Sequence, residues 1–514
     1  MKKFLKNNWV YLIGVFFVFV IYLVRFYHLT ILPIFADEAI YIRWAQVMKA
    51  EETLRFLPLS DGKEPLFMWV MIPFFKIIND PLFAGRIVSV LSGLGTLLGV
   101  SFLSYLLFKS KKAVLAAAFI YAVSPFTFFF DRMALVDSML SMFGIWTFIF
   151  AYLAFTLERM DFAMIAGFAL GGAWLTKSPA LFFALMLPTL WFFAAWKRGS
   201  KNILKTLAKL IGLTMPILII GYGLYNILRL GPNFSMIAKR NLDYVWPISH
   251  ILTSPFDPLK PWLLQSWQWI VMMGPWSILI LAIASIILGY KKFWRELLVV
   301  FVWFLGPIVI QSEFAKVLTS RYIFFSIPFL IILAASSFET INKTWLKFLA
   351  LVLAFFVAQS IIFDYHLIFD PEKANLPRSE RSGYLEEWTA GQGIKESADY
   401  FKSMSSTLEP GQHILAGTEG YFGTLPDGLE IYLNNISNII VVGVGLDFTK
   451  LPQPLADSYK SGSPTYLVVN DERFHGDAEQ EGLKLIASYP KAERPNGTHQ
   501  SLLLYQVTQL PKQK

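Results

Sequence analysis

Apolar runs of about 17–25 residues recur along most of this chain, each long enough to cross a hydrocarbon core about 30 Å thick as a helix. They fall near 9–28, 83–108, 113–130, 134–157, 162–177, 179–196, 207–229, 268–290, 296–315, 322–338 and 346–366. Little else is open to such a chain than a polytopic α-helical membrane protein with about eleven transmembrane helices. Composition agrees. Of 514 residues only 16% are charged, against about a quarter in soluble domains. Aromatic residues reach 16%, with 47 Phe and 16 Trp, as lipid-facing surfaces and interfacial belts require.

The net charge of +9 reports topology rather than nucleic-acid binding. Lysine and arginine gather in short loops between apolar runs: "MKKFLKNN" at the start, "KSKK" at 109–112, "KRGSKNILK" at 197–205 and "KKFWR" at 291–295. Short basic loops mark the cytoplasmic side. With the N-terminus inside, all four fall there, and loops 30–82 and 231–267 fall outside, as does everything after 366. The first run follows a basic stretch as a signal peptide does, but no small-residue cleavage site follows it, and an uncleaved anchor is expected. Cysteine is absent, so disulfides, thiolate metal sites and cysteine nucleophiles are excluded. No internal repeat is visible, which disfavours inverted-repeat transporters.

Composition changes near residue 367. A charged, Gly- and Pro-containing stretch leads into short β-rich segments, "HILAG", "NIIVVGVG", "TYLVVND", "LKLIASYP" and "SLLLYQV", with helical or turn segments such as 393–404 and 424–434 between them. Strands alternating with helices predict a small α/β domain. The chain therefore divides into a transmembrane domain, 1–366, and an extracytoplasmic α/β domain, 367–514.

The residues with chemistry to offer gather on the expected outer face. "ADEAIYIRWAQVMK" places apolar residues at Ala36, Ile40, Trp44 and Val47, as an interfacial helix does. Asp37 and Glu38 occupy its first turn, where a helix dipole favours carboxylates, so an ordinary charged helix start accounts for them as well as a site does. Tyr41 lies one turn on. Lys63 and Glu64 precede Pro65 and an aromatic segment at 66–78; a lysine there meets a phosphate or snorkels as an anchor. "FFFDRMALVDSML" sets Asp131, Arg132 and Asp137 into apolar sequence. Asp131–Arg132 reads as a local ion pair or a site, whereas a carboxylate one turn into a span, as Asp137 is, usually serves function. Lys177, His250, Lys316, Arg321 and Tyr322 lie on the same side. His250 alone reads more simply as structural, while the planar fork of Arg321 suits phosphate. Carboxylates activate a hydroxyl, and cations or a metal stabilise a departing phosphate. Asn233, Asn435 and Asn496 head glycosylation sequons short enough to arise by chance.

The motifs "ADEAIY", "GKEPL", "DRMALVDSML", "WLTKSPALF" and "SRYIFFSIPFLIILAA" resemble, in that order, the bacterial relatives of protein O-mannosyltransferases and aminoarabinose transferases, over about residues 8–365. The tail, with "YLEEWTAGQGIKESADYF" and "GYFGTLPDGLEIYL", looks like the domain appended to many of them. The resemblance implies a GT-C fold membrane glycosyltransferase using a polyprenyl-phosphate sugar donor. It implies that Asp37 is the catalytic carboxylate with Glu38 beside it, that Asp137 is the second-loop aspartate, and that Lys63 and Arg321 contact the donor phosphate. Many relatives have two prolines after that lysine; here Glu64 replaces the first. Tyr41, Arg132, Lys177, His250 and Tyr322 complete the expected substrate-binding set. No cofactor is assigned, a divalent metal near Asp37 and Asp137 is left open, and nucleic acid is not a partner. The acceptor is a glycan, a lipid or a protein, at the outer face of the plasma (inner) membrane. Two rivals stand beside this reading: an oligosaccharide or polymer ligase using a diphosphate-linked glycan, and a non-enzymatic lipid or solute transporter. Transporters place their ionisable residues near the bilayer midplane, whereas these charges sit at its boundary.

Overall fold

The computed structural model describes residues 2–196, 200–340 and 343–511. Of the basic loops expected at the cytoplasmic side, positions 197–199 lie outside the described residues. Among the described residues seven helices are long and apolar enough to cross a membrane: Trp9–Phe26, Pro81–Phe108, Asp137–Leu157, Asn202–Leu230, Ser277–Phe314, Ser320–Glu339 and Trp345–Phe369. Three shorter apolar helices, Leu66–Lys76, Met160–Thr176 and Ser178–Phe193, accompany them.

The expected spans break where the sequence gives a physical cause. The run 113–130 is two helices, Lys111–Val123 and Pro125–Phe130, because Ser124 takes an extended backbone (ψ 125°) before Pro125. Proline disfavours the helical region for the residue ahead of it and then occupies the first helical position itself. The run 268–290 divides at Gly274–Pro275, between helices Leu259–Met273 and Ser277–Phe314. The long helix is itself two helices merged across Phe293 (φ −130°, ψ 32°), inside the basic stretch expected to separate two spans.

The chain forms two compact units. The first comprises 1–29, 55–70 and 86–377; the second comprises 30–54, 71–85 and 378–514. In the first, a fully buried ionic group holds helix ends together. Arg25 donates to the carbonyls of Ala122 (2.7 Å) and Tyr121 (3.2 Å) and to the Thr127 hydroxyl (3.0 Å). Its Nε lies 3.4 Å from Asp131 Oδ2, and Tyr121 and Ser138 donate their hydroxyls to the same carboxylate (3.1 and 2.9 Å). Gly93 makes room for it: a Cβ there would lie 2.2 Å from Asp131 Oδ2. Arg132 donates to the carbonyls of Arg25 (2.9 Å), Tyr27 (2.8 Å) and His28 (2.8 Å), and Arg86 to that of Leu29 (2.9 Å).

The second unit carries a five-stranded sheet in the order β2-β1-β3-β5-β4. Strands β1 (Ile414–Glu419), β2 (Ile439–Gly445) and β3 (Thr465–Asn470) run parallel; β5 (Ser501–Val507) pairs antiparallel with β3, and β4 (Leu483–Pro490) antiparallel with β5. Each matches one of the five β-rich segments read from the sequence. β3 is buried at every residue, as a central strand covered on both faces must be. Leu455 of helix Gln453–Lys460 packs with Leu467, Val469 and Tyr505 in the core, and Gly417 of β1 lets it approach, since a Cβ there would lie 2.6 Å from a Leu455 methyl.

Candidate functional site

Five of the residues singled out in the sequence, Lys63, Asp137, Lys177, Arg321 and Tyr322, meet in the first unit. Asp137 opens helix Asp137–Leu157, where the positive end of the dipole suits a carboxylate. Lys177 is the residue at which helix Met160–Thr176 stops, turned out by the extended backbone ahead of Ser178–Pro179. Its ammonium donates to Asp137 Oδ1 at 2.6 Å and stands 4.4 Å over the Tyr322 ring. The Arg321 guanidinium lies 5.2 Å from the centroid of that ring. Asp137 Oδ2 is buried without a hydrogen-bond partner among the described residues, an acceptor left for something else to satisfy.

Glu64 extends the group. It is 4% exposed and accepts a hydrogen bond from the Ser178 hydroxyl at 2.6 Å, next to Lys177. Burial pushes its carboxyl above the ordinary range, partly offset by the Ser178 bond and the nearby Lys63 and Lys177. Lys63 lies 5.1 Å over the Tyr244 ring, and Arg240 lies 5.8 Å from the same ring. Arg240 also pairs with Asp61 at 3.0 Å. The turn that presents Lys63 depends on Gly62, which has φ +66° and no space for a side chain, since a Cβ would meet Met236 O at 2.7 Å.

Four cations thus gather around two tyrosine faces. Cation–π contact orients an ammonium or guanidinium on a ring face, and Lys177 is also paired with Asp137 and Arg240 with Asp61 and Asp243. Arginine's fork matches phosphate oxygens bidentately, and lysine acts as a mobile point charge. The two tyrosines, Arg240 and Ser178 complete this arrangement. Of these, Tyr244 and Ser178 carry no sequence signal beyond their places beside "LD" and ahead of a proline.

Arg132 sits elsewhere in the same unit, in the buried group with Arg25. His250 lies on loop 231–267, its Nε2 2.7 Å from the Asp257 carbonyl. Asp37, Glu38 and Tyr41 belong to helix Ala36–Ala50 of the second unit. Glu38 is fully buried and closes the helix start, accepting the Phe35 N–H at 3.0 Å, which is the capping arrangement. The helix is fixed by Ala36 N–H to the Thr389 carbonyl (3.1 Å), Gln46 to the Ile431 carbonyl (3.0 Å), and Arg43 to Glu430 (2.6 Å) and Asn434 (2.7 Å). Tyr41 is buried with its ring 6.0 Å from that of Trp44. Among the described residues no group of three or more His, Asp or Glu side chains gathers to hold a metal.

Residues 62–222 match the family model described as dolichyl-phosphate-mannose-protein mannosyltransferase. The fold is similar to that of ArnT from Cupriavidus metallidurans, with TM-score 0.59 and 14% identity over 99% of this chain and 100% of that one in the apo state. The undecaprenyl phosphate-bound structure of the same protein gives 0.57 and 15% over the same shares. The archaeal oligosaccharyltransferase AglB from Archaeoglobus fulgidus, in complex with an inhibitory peptide and a dolichol-phosphate, gives 0.51 and 12% over 96% of this chain and 74% of that one. No curated protein matches the sequence. The chain thus shares its fold with these glycosyl-transferring proteins, and the family resemblance is carried by residues 62–222.

Proposed function

We propose that the protein transfers a sugar from a polyprenyl-phosphate donor to an acceptor hydroxyl at the outer face of the plasma membrane. The observation that carries this reading is the cation cluster of Lys63, Lys177, Arg240 and Arg321, two of them stacked on each tyrosine face, beside the unpartnered oxygen of Asp137. Support for a lipid donor comes from the family match and from neighbours whose structures hold undecaprenyl phosphate or dolichol-phosphate. The basic loops support placing the donor opposite the cytoplasm, with the α/β domain extracytoplasmic.

In the proposed reaction Asp37 takes the proton of the acceptor hydroxyl. The oxygen attacks the anomeric carbon, the bond from that carbon to the phosphate oxygen breaks, and the electron pair leaves with polyprenyl phosphate, inverting the centre. Lys63, Lys177 and Arg321 hold the charge that develops on the phosphate. Tyr322 fixes the two cations that stack on it, Arg132 stiffens the chain entering loop 30–82, and Glu38 keeps the start of the Asp37 helix closed.

The test is transfer from radiolabelled polyprenyl-phosphate sugars by the purified chain. Asp37→Asn is expected to lower the rate at least about 100-fold, the lower end of general acid–base contributions. Transfer by this variant at the wild-type rate sinks the assignment of Asp37. A bound polyprenyl-diphosphate glycan, identified by mass spectrometry, would replace the monophosphate donor with a ligase reaction.

A further inference from the structure

Loop 231–267 carries a pocket that the phosphate cluster does not use. Its volume is about 360 Å³, and its lining includes Trp246, His250, Asp257, Trp262, Gln265 and Lys316. Two chain segments are laced together to make it. Val245 bridges Ala315 antiparallel, Trp246 N–H donates to the Phe314 carbonyl (2.7 Å), and Lys316 N–H donates to that of Tyr244 (2.8 Å). The Trp262 indole N–H donates to the Ala315 carbonyl at 2.9 Å.

The imidazole and the ammonium are each aimed by a neighbour. The His250 ring stacks on Trp246 at 4.6 Å and 10°. Its Nε2 faces the Asp257 carbonyl at 2.7 Å, so in the neutral ring that nitrogen carries the proton and Nδ1 is an acceptor. The Lys316 ammonium stands 4.7 Å over Trp246 and donates one N–H to the Leu242 carbonyl at 2.6 Å, which leaves two N–H groups to donate. Among the described residues the Asp257 carboxylate and the Gln265 amide have no protein hydrogen-bond partner.

The lining therefore mixes two indoles with a carboxylate, an imidazole acceptor, an amide that both donates and accepts, and an ammonium. A phosphate offers only acceptors and would face Asp257, a like charge. An acyl chain would leave four polar groups without partners, which is costly. A sugar ring fits this mixture: its hydroxyls donate and accept, and its C–H face is apolar enough to lie on an indole. The volume falls in the lower part of the range for small-ligand pockets, about 300–1,000 Å³, which suits a short saccharide. The ladder of 244–246 with 314–316 also joins the pocket to the phosphate cluster, because Tyr244 is the ring that Lys63 covers.

We infer that this pocket is the acceptor subsite and takes a sugar ring, so that the acceptor is a saccharide rather than a polypeptide. The inference rests on the transfer reaction proposed above. The test uses the purified full chain and a panel of hexose, N-acetylhexosamine and uronic-acid mono- and disaccharides, with binding read by saturation-transfer NMR and transfer read with a radiolabelled donor. At least one saccharide is expected to bind and to accept sugar. Trp246→Ala and Gln265→Ala are each expected to weaken that binding about tenfold or more, the equivalent of about 1.4 kcal/mol, while binding of polyprenyl phosphate stays at the wild-type level and reports an intact fold. Gln265→Ala, a truncation on an established helix, keeps the test informative where the tryptophan variant does not fold. Absence of binding by every saccharide, binding unchanged in both variants, or transfer to a serine- and threonine-containing peptide alone overturns the inference. A saccharide that binds here with no transfer to it from any polyprenyl-phosphate sugar would overturn the proposed reaction and leave the pocket as a sugar site.

Discussion

Two ionic groups in the first unit use the same residue types to opposite ends. Around Arg25 and Asp131, side chains are buried and their hydrogen bonds are made within the protein: the arginines donate N–H groups to backbone carbonyls, and the carboxylate accepts from two hydroxyls and faces a guanidinium. Around Tyr322 and Tyr244, cations lie against aromatic faces, Lys177 and Arg240, both nearer the surface, pair with carboxylates, and Asp137 keeps a buried oxygen with no partner among the described residues. A charge whose hydrogen bonds are filled by the protein holds the protein together. A carboxylate oxygen left without a partner, beside cations on ring faces, is still available to a ligand. Breaking the first group should therefore be felt in stability and breaking the second in turnover.

The largest effect is expected from the first. Asp131→Ala removes the carboxylate paired with buried Arg25 and leaves the more distant buried Asp364 as its remaining counter-charge; breaking a buried pair costs about 3–5 kcal/mol. A clear fall in Tm, or loss of folded protein, is the expected result in detergent melting curves. A Tm matching that of the wild type would break the comparison from the structural side. Next comes Arg321→Ala, which removes a donor from the proposed leaving phosphate. Transfer should fall by about 10²–10³-fold, the usual consequence of deleting one preorganised donor, with Tm close to wild type; a large drop in Tm with unchanged turnover per folded molecule would reverse the roles assigned here.

A smaller effect sharpens the boundary between the two groups. Glu64 is buried but accepts a hydrogen bond from the Ser178 hydroxyl, and burial raises its carboxyl. A carboxyl that holds its proton more tightly when folded adds stability at low pH, and that contribution is lost as pH rises from about 4.3, the unfolded value, through the raised folded value. Glu64→Gln should remove this loss. Its Tm relative to wild type is expected to be more favourable at about pH 7.5 than at about pH 4.5, and parallel Tm profiles for the two proteins would count against a raised Glu64.

Much of the architecture was legible because it rests on local composition. The five strands of the α/β unit stand where alternating and β-branched segments placed them, and the spans lie within a few residues of the apolar runs. Helix breaks were less legible, although Ser124–Pro125 and Gly274–Pro275 carry their cause in plain sight; a hydropathy pattern sums over such a dipeptide without noticing it. The candidate site divides in the same way. Residue types suitable for phosphate could be read singly, but the Lys177–Asp137 bond joins residues 40 positions apart, and Ser178 reaches Glu64 over 114. Glu38 was readable as a helix-start charge, and its cap to Phe35 is local. Arg132 and Asp131 looked like an ion pair by adjacency, yet each is satisfied from elsewhere, Arg132 by the carbonyls of 25–28 and Asp131 by Arg25, Tyr121 and Ser138. Neighbouring charges in a sequence need not be partners in space.

Arg25 also sets an order of events. It lies at the end of a helix, Trp9–Phe26, of which only 17% is buried by the protein, and its guanidinium caps the last carbonyls of a different helix, Lys111–Val123. The carbonyls of Tyr121 and Ala122, the Thr127 hydroxyl and Asp131 that satisfy its guanidinium are made about a hundred residues later. Until the ribosome has passed Asp131, Arg25 has to keep its charge in water or among lipid head groups, at the end of a long side chain. Its burial is thus a late step in biogenesis, and a nascent chain arrested short of residue 131 should hold this arginine where water can still reach it.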